Sequence, residues 1–189
     1  MCAKTATRAH LSSPTTLPEH APLLFDRVPI VLTLYLIRHG KADPESPTGR
    51  DEDRPLLPRG ERQALRLGPA LSAMEFPPSL LVVSPTLRAR QTAARLLDSM
   101  AVPLVFDEGL RVDRPVSSLL DVLDEHLGER AVALIGHNPQ LQMAAATLTG
   151  GPGAPAPAVR TGQALVLSVN PERSLVGGAK LVDSLRFDD

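Results

Sequence analysis

The sequence predicts a three-layer α/β/α fold with a mainly parallel central sheet. Nearly unbroken apolar runs occur at Val31–Ile37, Leu80–Val83 and Ala131–Ile135, and such runs are typical of parallel strands that are buried on both faces. Each run is followed by polar residues and then by a helical pattern of apolar residues, as expected of strands joined by crossover helices. The 189 residues are 43% hydrophobic, which suits one domain with a sizeable core.

The composition excludes several classes of function. A net charge of −1 without a clustered basic face argues against nucleic-acid binding, which needs a basic surface. The apolar run Val28–Ile37 is too short to cross a membrane, and residues 1–20 contain no apolar block of the kind that signal peptides carry. Cys2 is the only cysteine, so an internal disulfide is excluded. We therefore expect a cytoplasmic protein that binds neither nucleic acid nor membrane.

The chain is predicted to hold one domain with short flanking segments. Residues 1–27 are rich in Thr, Ser, Pro and Ala without periodicity, and we expect a mobile N-terminal extension there. The domain is predicted over residues 28–185, followed by a frayed C-terminus at 186–189. Cys2 and Arg8 have the Cys-x5-Arg spacing of a cysteine phosphatase loop. That loop must follow a buried strand and open a helix, so we interpret the spacing as chance.

Cap and turn signals divide the domain into elements. A helix is predicted to begin at Pro58, and an apolar stripe continues it to Met74. Ser84 and Asn138 are predicted helix N-caps, each followed by a proline at the first helical position. Further elements are predicted as a strand at 102–106, a helix at 116–127, a Gly/Pro/Ala loop at 150–162, a strand at 164–169 and a weak edge strand at 178–185.

Basic side chains stand at the ends of the three buried strands. Arg38 and His39 follow the first run, where Gly40 permits a sharp turn. Arg88 lies in the first turn of the helix after the second run, and His137 follows the third. Open α/β sheets bind ligands at the carboxyl ends of their strands, so we expect a cationic pocket that suits a phosphoryl group. A metal fits poorly beside guanidinium groups, and neither a metal-ligand motif nor a Walker loop occurs.

The order of these motifs resembles the histidine phosphatase superfamily, which has the phosphoglycerate mutase-like fold. Arg38-His39-Gly40 matches its Arg-His-Gly, Ser84–Thr92 matches its Ser-Pro-x-x-Arg-Ala-x-Gln-Thr, and Gly136-His137 matches its late Gly-His. The segment RPLLPRG at 54–60 looks like the Arg-Pro-Leu-Thr-x-x-Gly of the short bacterial branch, the SixA-type phosphohistidine phosphatases.

The resemblance implies a metal-independent phosphatase without a cofactor, in which His39 is the nucleophile and becomes a transient phosphohistidine. That chemistry requires a neutral imidazole with a nitrogen lone pair aimed at phosphorus. The other implied catalytic residues neutralise charge on the phosphoryl oxygens, and they are Arg38, Arg88 and His137. The implied substrate-binding residues are Arg38, Gly40, Arg88, His137 and Asn138.

One departure from the family pattern concerns the substrate. Many members carry a Glu as proton donor in a Leu-Arg-Glu stretch, where this chain has Leu110-Arg111-Val112. Asp113, Glu108 and Asp43 are the candidate replacements, and the absence of any acid is the fourth possibility. An alkoxide leaving group needs a positioned acid far more than an imidazole does, so the missing Glu favours phosphohistidine as the substrate.

Three functions stay open at this point. The first is a phosphohistidine phosphatase that acts on a phosphorelay protein, such as a histidine phosphotransfer domain, through a cleft that no long insertion covers. The second is a phosphatase for a small phosphate ester. The third is a phosphate-binding module without turnover. The sequence predicts no oligomeric state.

Overall fold

A six-stranded sheet lies between two pairs of helices in this protein. The structure is a computed structural model that describes residues 31–187, and it confirms the predicted three-layer α/β/α architecture. The strands are β1 Leu32–Arg38, β2 Leu80–Val83, β3 Leu104–Phe106, β4 Ala131–Gly136, β5 Ala164–Val169 and β6 Ala179–Leu185. The helices are α1 Pro58–Ser72, α2 Leu87–Leu97, α3 Val116–Asp124 and α4 Gln140–Gly150, with short 3-10 helices at Asp51–Asp53 and Glu108–Leu110.

Some of the predicted features lie outside the described residues. These are the N-terminal extension at 1–27, the Cys2–Arg8 spacing and the last two residues of the predicted frayed C-terminus. The bounds of the domain therefore stay a prediction. Within residues 31–187, no helix is long and apolar enough to cross a membrane.

β1 lies in the interior of the sheet, whose strand order is β3-β2-β4-β1-β5-β6. The first four strands of that order run parallel. β5 pairs antiparallel with β1, and β6 pairs antiparallel with β5, so the sheet is mainly parallel as predicted. Arg38 at the end of β1 lies opposite Gly136 at the end of β4. The residues that follow these two strands, His39 and His137, therefore emerge side by side.

The two faces of the sheet have separate cores. Leu34 and Leu36 of β1 pack with α3 and α4, whereas Tyr35 and Ile37 pack with α1 and α2. All four side chains are fully buried, which explains why β1 needs apolar residues at consecutive positions. The helices bury apolar residues against the sheet, namely Ala64, Leu67, Leu71, Ala89, Ala93, Leu96, Leu119, Leu123, Leu141, Ala145 and Leu148. The apolar residues that are only partly buried include Met74, Leu97, Met100 and Leu120.

The prediction that Ser84 is the N-cap of α2 is wrong. The helix begins at Leu87, two residues after Pro85, and the position before it is Thr86. The hydroxyl of Ser84 is fully buried and lies 3.0 Å from Nε2 of His137. A tertiary hydrogen bond therefore takes the side chain that a local cap would have used.

The prediction that Asn138 is the N-cap of α4 is also wrong. The helix begins at Gln140, and the preceding Pro139 has helical backbone angles. The amide nitrogen of Asn138 instead donates to the carbonyl of Val159 at 2.8 Å. This contact ties the start of α4 to the loop that precedes β5, across the end of the sheet.

Gly40 is required for a close backbone approach rather than for a turn conformation. A Cβ at Gly40 would lie 2.4 Å from the carbonyl oxygen of Gly60 in α1, and a Cβ at Gly60 would lie 2.2 Å from the carbonyl oxygen of Lys41. Gly40 is not among the glycines with positive φ. The two glycines therefore let α1 pack directly against the chain that leaves β1, beside His39.

Candidate active site

The three predicted stretches meet where β1, β2 and β4 end. Arg38 is the last residue of β1 and His39 follows it, while His137 follows β4. The imidazole centroids of the two histidines lie 4.9 Å apart. Arg88, in the first turn of α2, has a side chain that is only 1% exposed. All four side chains line one cavity, as predicted.

His39 is held in a single tautomer. Its Nδ1 lies 2.7 Å from the carbonyl oxygen of Gly40. A carbonyl oxygen only accepts, so Nδ1 carries the proton and Nε2 keeps its lone pair. Burial, together with the charges of nearby arginines, lowers the pKa of His39 to about 4, so the ring is neutral at pH 7. This is the form that a nitrogen nucleophile requires.

His137 is buried, and its ring contacts two hydroxyl groups. Its Nε2 lies 3.0 Å from Oγ of Ser84 and 3.1 Å from Oγ1 of Thr86, while its Nδ1 has no hydrogen-bond partner within residues 31–187. Burial, followed by the charges of His39 and the arginines, lowers the pKa of His137 to about 2. The ring is therefore neutral. In this form it can donate one N–H to a phosphoryl oxygen.

Arg38 and Arg88 are fixed by carbonyl oxygens. Nη1 of Arg38 donates to Val159 at 2.9 Å, and Nη1 of Arg88 donates to Asp51 at 2.6 Å. Nε of each arginine is buried without a partner in the described part of the chain. A buried N–H group without a partner costs about 1–3 kcal/mol, and an anion with several acceptor oxygens is the kind of ligand that relieves this cost.

A cavity of about 180 Å³ lies between these side chains. Three polar residues that were not predicted also line it, namely Lys41, Arg54 and Thr161. Lys41 directly follows the Arg-His-Gly motif and Arg54 begins the RPLLPRG segment, so their positions in recognised motifs are the signal that could have identified them. Thr161 lies in the Gly/Pro/Ala loop, and nothing in the sequence marks it.

Two residues that were expected to bind substrate already have protein partners. The N–H of Gly40 donates to Oγ1 of Thr92 at 3.0 Å, and Gly40 does not line the cavity. Its contribution is the carbonyl that orients His39. Asn138 does line the cavity, where its amide nitrogen is used by Val159 and its Oδ1 has no partner among the described residues.

The candidate proton donors Asp113, Glu108 and Asp43 all lie outside the cavity, whereas Val112 lines it. Nε of Arg111 donates to Asp113 at 3.2 Å, and Glu108 lies 3.6 Å from Nη1 of the same guanidinium. The hydrogen bond from Arg111 lowers the pKa of Asp113, so its carboxyl group is ionised at pH 7. Among residues 31–187, no carboxyl group lines the cavity, and no group of three or more His, Cys, Asp or Glu could hold a metal ion.

A larger cavity of about 770 Å³ lies towards the amino end of β1. Its lining is mostly apolar, with Tyr35 and Phe76 among the aromatic residues, and Thr33 also lines it. Arg130 also lines it, but its guanidinium lies 4.4 Å from the centroid of the Phe76 ring. This cavity lacks the histidines and paired arginines of the smaller one, so size alone does not mark the site of phosphoryl chemistry.

Comparison with known proteins shows the family. Residues 34–111 match the model of the histidine phosphatase superfamily (branch 1). An uncharacterized protein of Picosynechococcus sp. is 32% identical over 114 residues, which are 58% of this chain and 68% of that protein. The chain therefore belongs to the histidine phosphatase superfamily, and its activity is that of a phosphatase.

Solved structures share the fold. The protein histidine phosphatase SixA complexed with tungstate matches with a TM-score of 0.72 at 22% identity, over 82% of this chain and 96% of that one. A putative phosphohistidine phosphatase SixA from Agrobacterium tumefaciens gives 0.67 at 23% identity, over 81% and 96%. A putative alpha-ribazole-5'-P phosphatase from Escherichia coli gives 0.62 at 21% identity, over 80% and 95%. The phosphoglycerate mutase-like fold is confirmed, and this chain shares it with the SixA proteins.

Proposed function

We propose that this phosphatase removes the phosphoryl group from phosphohistidine in a protein, with His39 as the nucleophile. The observation that carries the proposal is the smaller cavity, whose lining is cationic and, among the described residues, contains no carboxyl group. The carboxylate that contacts its arginines, that of Asp51, is ionised because Arg88 and Arg54 lower its pKa, so it offers no proton. Val112 stands where many family members carry a proton-donating Glu. The fold relatives that are named as phosphohistidine phosphatases support the same substrate class.

The leaving group explains why such a site can work without an acid. An alkoxide must be protonated as it leaves, and a positioned acid contributes about 10²–10⁴-fold to that step. The second ring nitrogen of phosphohistidine can already carry a proton, so the ring leaves as neutral imidazole. A cavity without a carboxyl group therefore handicaps an ester substrate far more than a phosphohistidine substrate.

The proposed reaction has two displacements at phosphorus. In the first, Nε2 of His39 attacks, the N–P bond of the substrate breaks, and its electron pair returns to the substrate ring. In the second, water attacks phospho-His39, the electron pair of the new N–P bond returns to Nε2, one water proton stays on the released phosphate, and the other passes to bulk water. The carbonyl of Gly40 accepts from Nδ1 throughout, so the same contact that exposes the Nε2 lone pair also stabilises the cationic ring of the intermediate.

Positive charge around the cavity positions the phosphoryl group. Guanidinium groups bind phosphoryl oxygens in pairs, and the cavity is lined by Arg38, Arg54 and Arg88. Their charges are present before the reaction begins, which is the main route by which proteins accelerate phosphoryl transfer. A volume of about 180 Å³ accommodates a phosphoryl group together with one ring of the substrate.

The proposal is tested by parallel turnover of a phosphorylated histidine phosphotransfer domain and of p-nitrophenyl phosphate at one enzyme concentration. We expect fast loss of phosphohistidine and slow ester hydrolysis, both abolished by His39→Ala. His126→Ala is the matched control, because this half-buried histidine lies beyond α3 and outside the cavity. Faster turnover of the ester would favour a phosphatase for small phosphate esters, and the absence of His39-dependent turnover would favour a phosphate-binding module.

A further inference from the structure

Asp51 contacts two of the guanidinium groups that line the cavity. Nη1 of Arg88 donates to the backbone carbonyl of Asp51 at 2.6 Å, and Nη2 donates to its Oδ2 at 2.9 Å. The other carboxylate oxygen, Oδ1, accepts from Nε of Arg54 at 2.8 Å. The two carboxylate oxygens of Asp51 therefore accept hydrogen bonds from two different arginines of the site. Two oxygens of a phosphoryl group would bind such a pair in the same way.

The two sides of this contact differ in how freely they can move. The side chain of Arg88 is 1% exposed, whereas that of Asp51 is 57% exposed. Arg54 is also anchored, since its Nη1 donates to the carbonyl of Asp43 at 3.0 Å. Asp51 begins a three-residue 3-10 helix with no buried residue. The guanidinium groups are thus the fixed partners, and the carboxylate is the partner that can be displaced.

We propose that Asp51 is a built-in competitor for the phosphoryl group, which holds Arg88 and Arg54 in the ligand-free enzyme and thereby limits how tightly the enzyme binds phosphate. This inference rests on the phosphatase site described above, and it assigns Asp51 no proton transfer. Its effect on the reaction is exerted through the two arginines, so it is a positioning residue. Because Asp51 competes for the two guanidinium groups, the product phosphate can dissociate from a strongly cationic cavity.

The charge state of Asp51 fits this role. Burial on its own would raise the pKa of this carboxyl group, but the hydrogen bonds and positive charges of Arg88 and Arg54 outweigh that effect and lower the pKa of Asp51. The carboxylate is therefore ionised at neutral pH and offers no proton to a leaving group.

The sign of the effect follows from three contributions. Replacing Asp51 with Asn removes a negative charge next to a bound anion and weakens the competitor, and both changes tighten phosphate binding. The substitution also leaves the two arginine side chains less ordered, and this third contribution weakens phosphate binding. The loss of order is small, because Arg88 stays buried within the fold, Arg54 keeps its contact with Asp43, and the Asn oxygen can still accept one hydrogen bond.

The test is isothermal titration of inorganic phosphate into the full chain, which needs no turnover. We expect Asp51→Asn to lower the Kd for phosphate about tenfold, and phosphate to become a correspondingly stronger product inhibitor of ester hydrolysis. Asp53→Asn is the matched control, because it removes the same charge from the same 3-10 helix. Asp53 contacts Thr48 and Arg50 rather than the site arginines. The Kd of the Asp53→Asn variant for phosphate should therefore change less than twofold.

Two results would overturn the inference. An unchanged Kd in Asp51→Asn means that the carboxylate does not compete for the site. A higher Kd means that Asp51 only orders the arginines. Asp51→Ala repeats the measurement without a side-chain oxygen and should lower the Kd as well. These outcomes are independent of substrate choice, since a failed preference for phosphohistidine would leave the phosphate titrations unaffected.

Discussion

The position of one proton on His39 decides whether this residue can attack phosphorus. Gly40 fixes that proton on Nδ1, and burial keeps a second proton away from Nε2. His39 is only 8% exposed, so the cost of charging the ring is an effect of desolvation first and of the neighbouring arginines second. His39 thus has the form that the proposed nucleophile requires, without a base to activate it.

We expect His39 to titrate near pH 4 in the folded, ligand-free protein. Since its pKa is lowered on folding, the stability that its neutral form contributes is present above pH 6.5, the ordinary value for histidine, and is lost as the pH falls from 6.5 towards 4. Nitrogen NMR of the labelled protein checks both the midpoint and the tautomer, with His39→Gln to assign the signals. A midpoint near pH 6.5, or a proton on Nε2 at pH 7, would contradict the geometry of the site.

Val112 is the residue through which the proposed preference against esters can be tested. It lines the cavity and is 40% exposed, so a longer polar side chain fits without burial in a core. We expect Val112→Glu to raise kcat for an alkyl phosphate at least tenfold relative to Val112→Gln, because only Glu can supply a proton to the alkoxide. Phosphohistidine turnover should differ little between the two variants. Equal ester kcat values for Glu and Gln would show that the missing acid does not limit ester hydrolysis.

At the scale of secondary-structure elements, the contact between the chain after β1 and the start of α1 sets the shape of the site. Gly40 and Gly60 allow backbone to lie against backbone there. The same region presents Lys41, whose N–H donates to Oε1 of Gln63 in α1 at 2.9 Å. Because this contact contains no side chain that could move aside, even one added methyl group must shift the helix or the strand end.

We expect Gly60→Ala to destabilise the protein by about 1–3 kcal/mol, the usual cost of overpacking, and to reduce turnover by moving the residues next to His39. Urea denaturation and the ester assay measure the two effects. Gly128→Ala is the control, because a Cβ at Gly128 has no atom within 4 Å and Gly128 does not have a positive φ. If the two variants are equally stable, the close approach of α1 does not constrain the site.

Local patterns predicted the strands well and the helix starts less well. β2 and β5 have the predicted bounds, and β1 and β4 end one residue later than predicted, because an unbroken apolar run marks a strand buried on both faces without any other information. α1 and α3 begin as predicted, whereas the starts of α2 and α4 are displaced. There Ser84 and Asn138 bond to His137 and Val159, which are more than twenty residues away. Capping rules describe only the local sequence, so they cannot anticipate such contacts.

For the molecule as a whole, the fold concentrates positive charge that the sequence does not show. The net charge is −1, yet the cavity is lined by four cationic residues, Arg38, Lys41, Arg54 and Arg88. The adjacent parallel strands β2, β4 and β1 bring three distant stretches to one edge, and this part of the site could be predicted because every strand end was recognised. The contribution of Asp51 could not be predicted, since it depends on how one surface loop lies over Arg88.

The phosphoenzyme itself is the most direct test of the central claim that His39 carries the phosphoryl group. The protein is mixed with a phosphorylated histidine phosphotransfer domain, quenched rapidly in alkali to preserve phosphohistidine, digested and analysed by mass spectrometry. We expect one phosphoryl group on the peptide that contains His39, and none in the His39→Gln variant. A phosphoryl group on His137, or steady turnover in which no phosphorylated peptide forms, would contradict this claim.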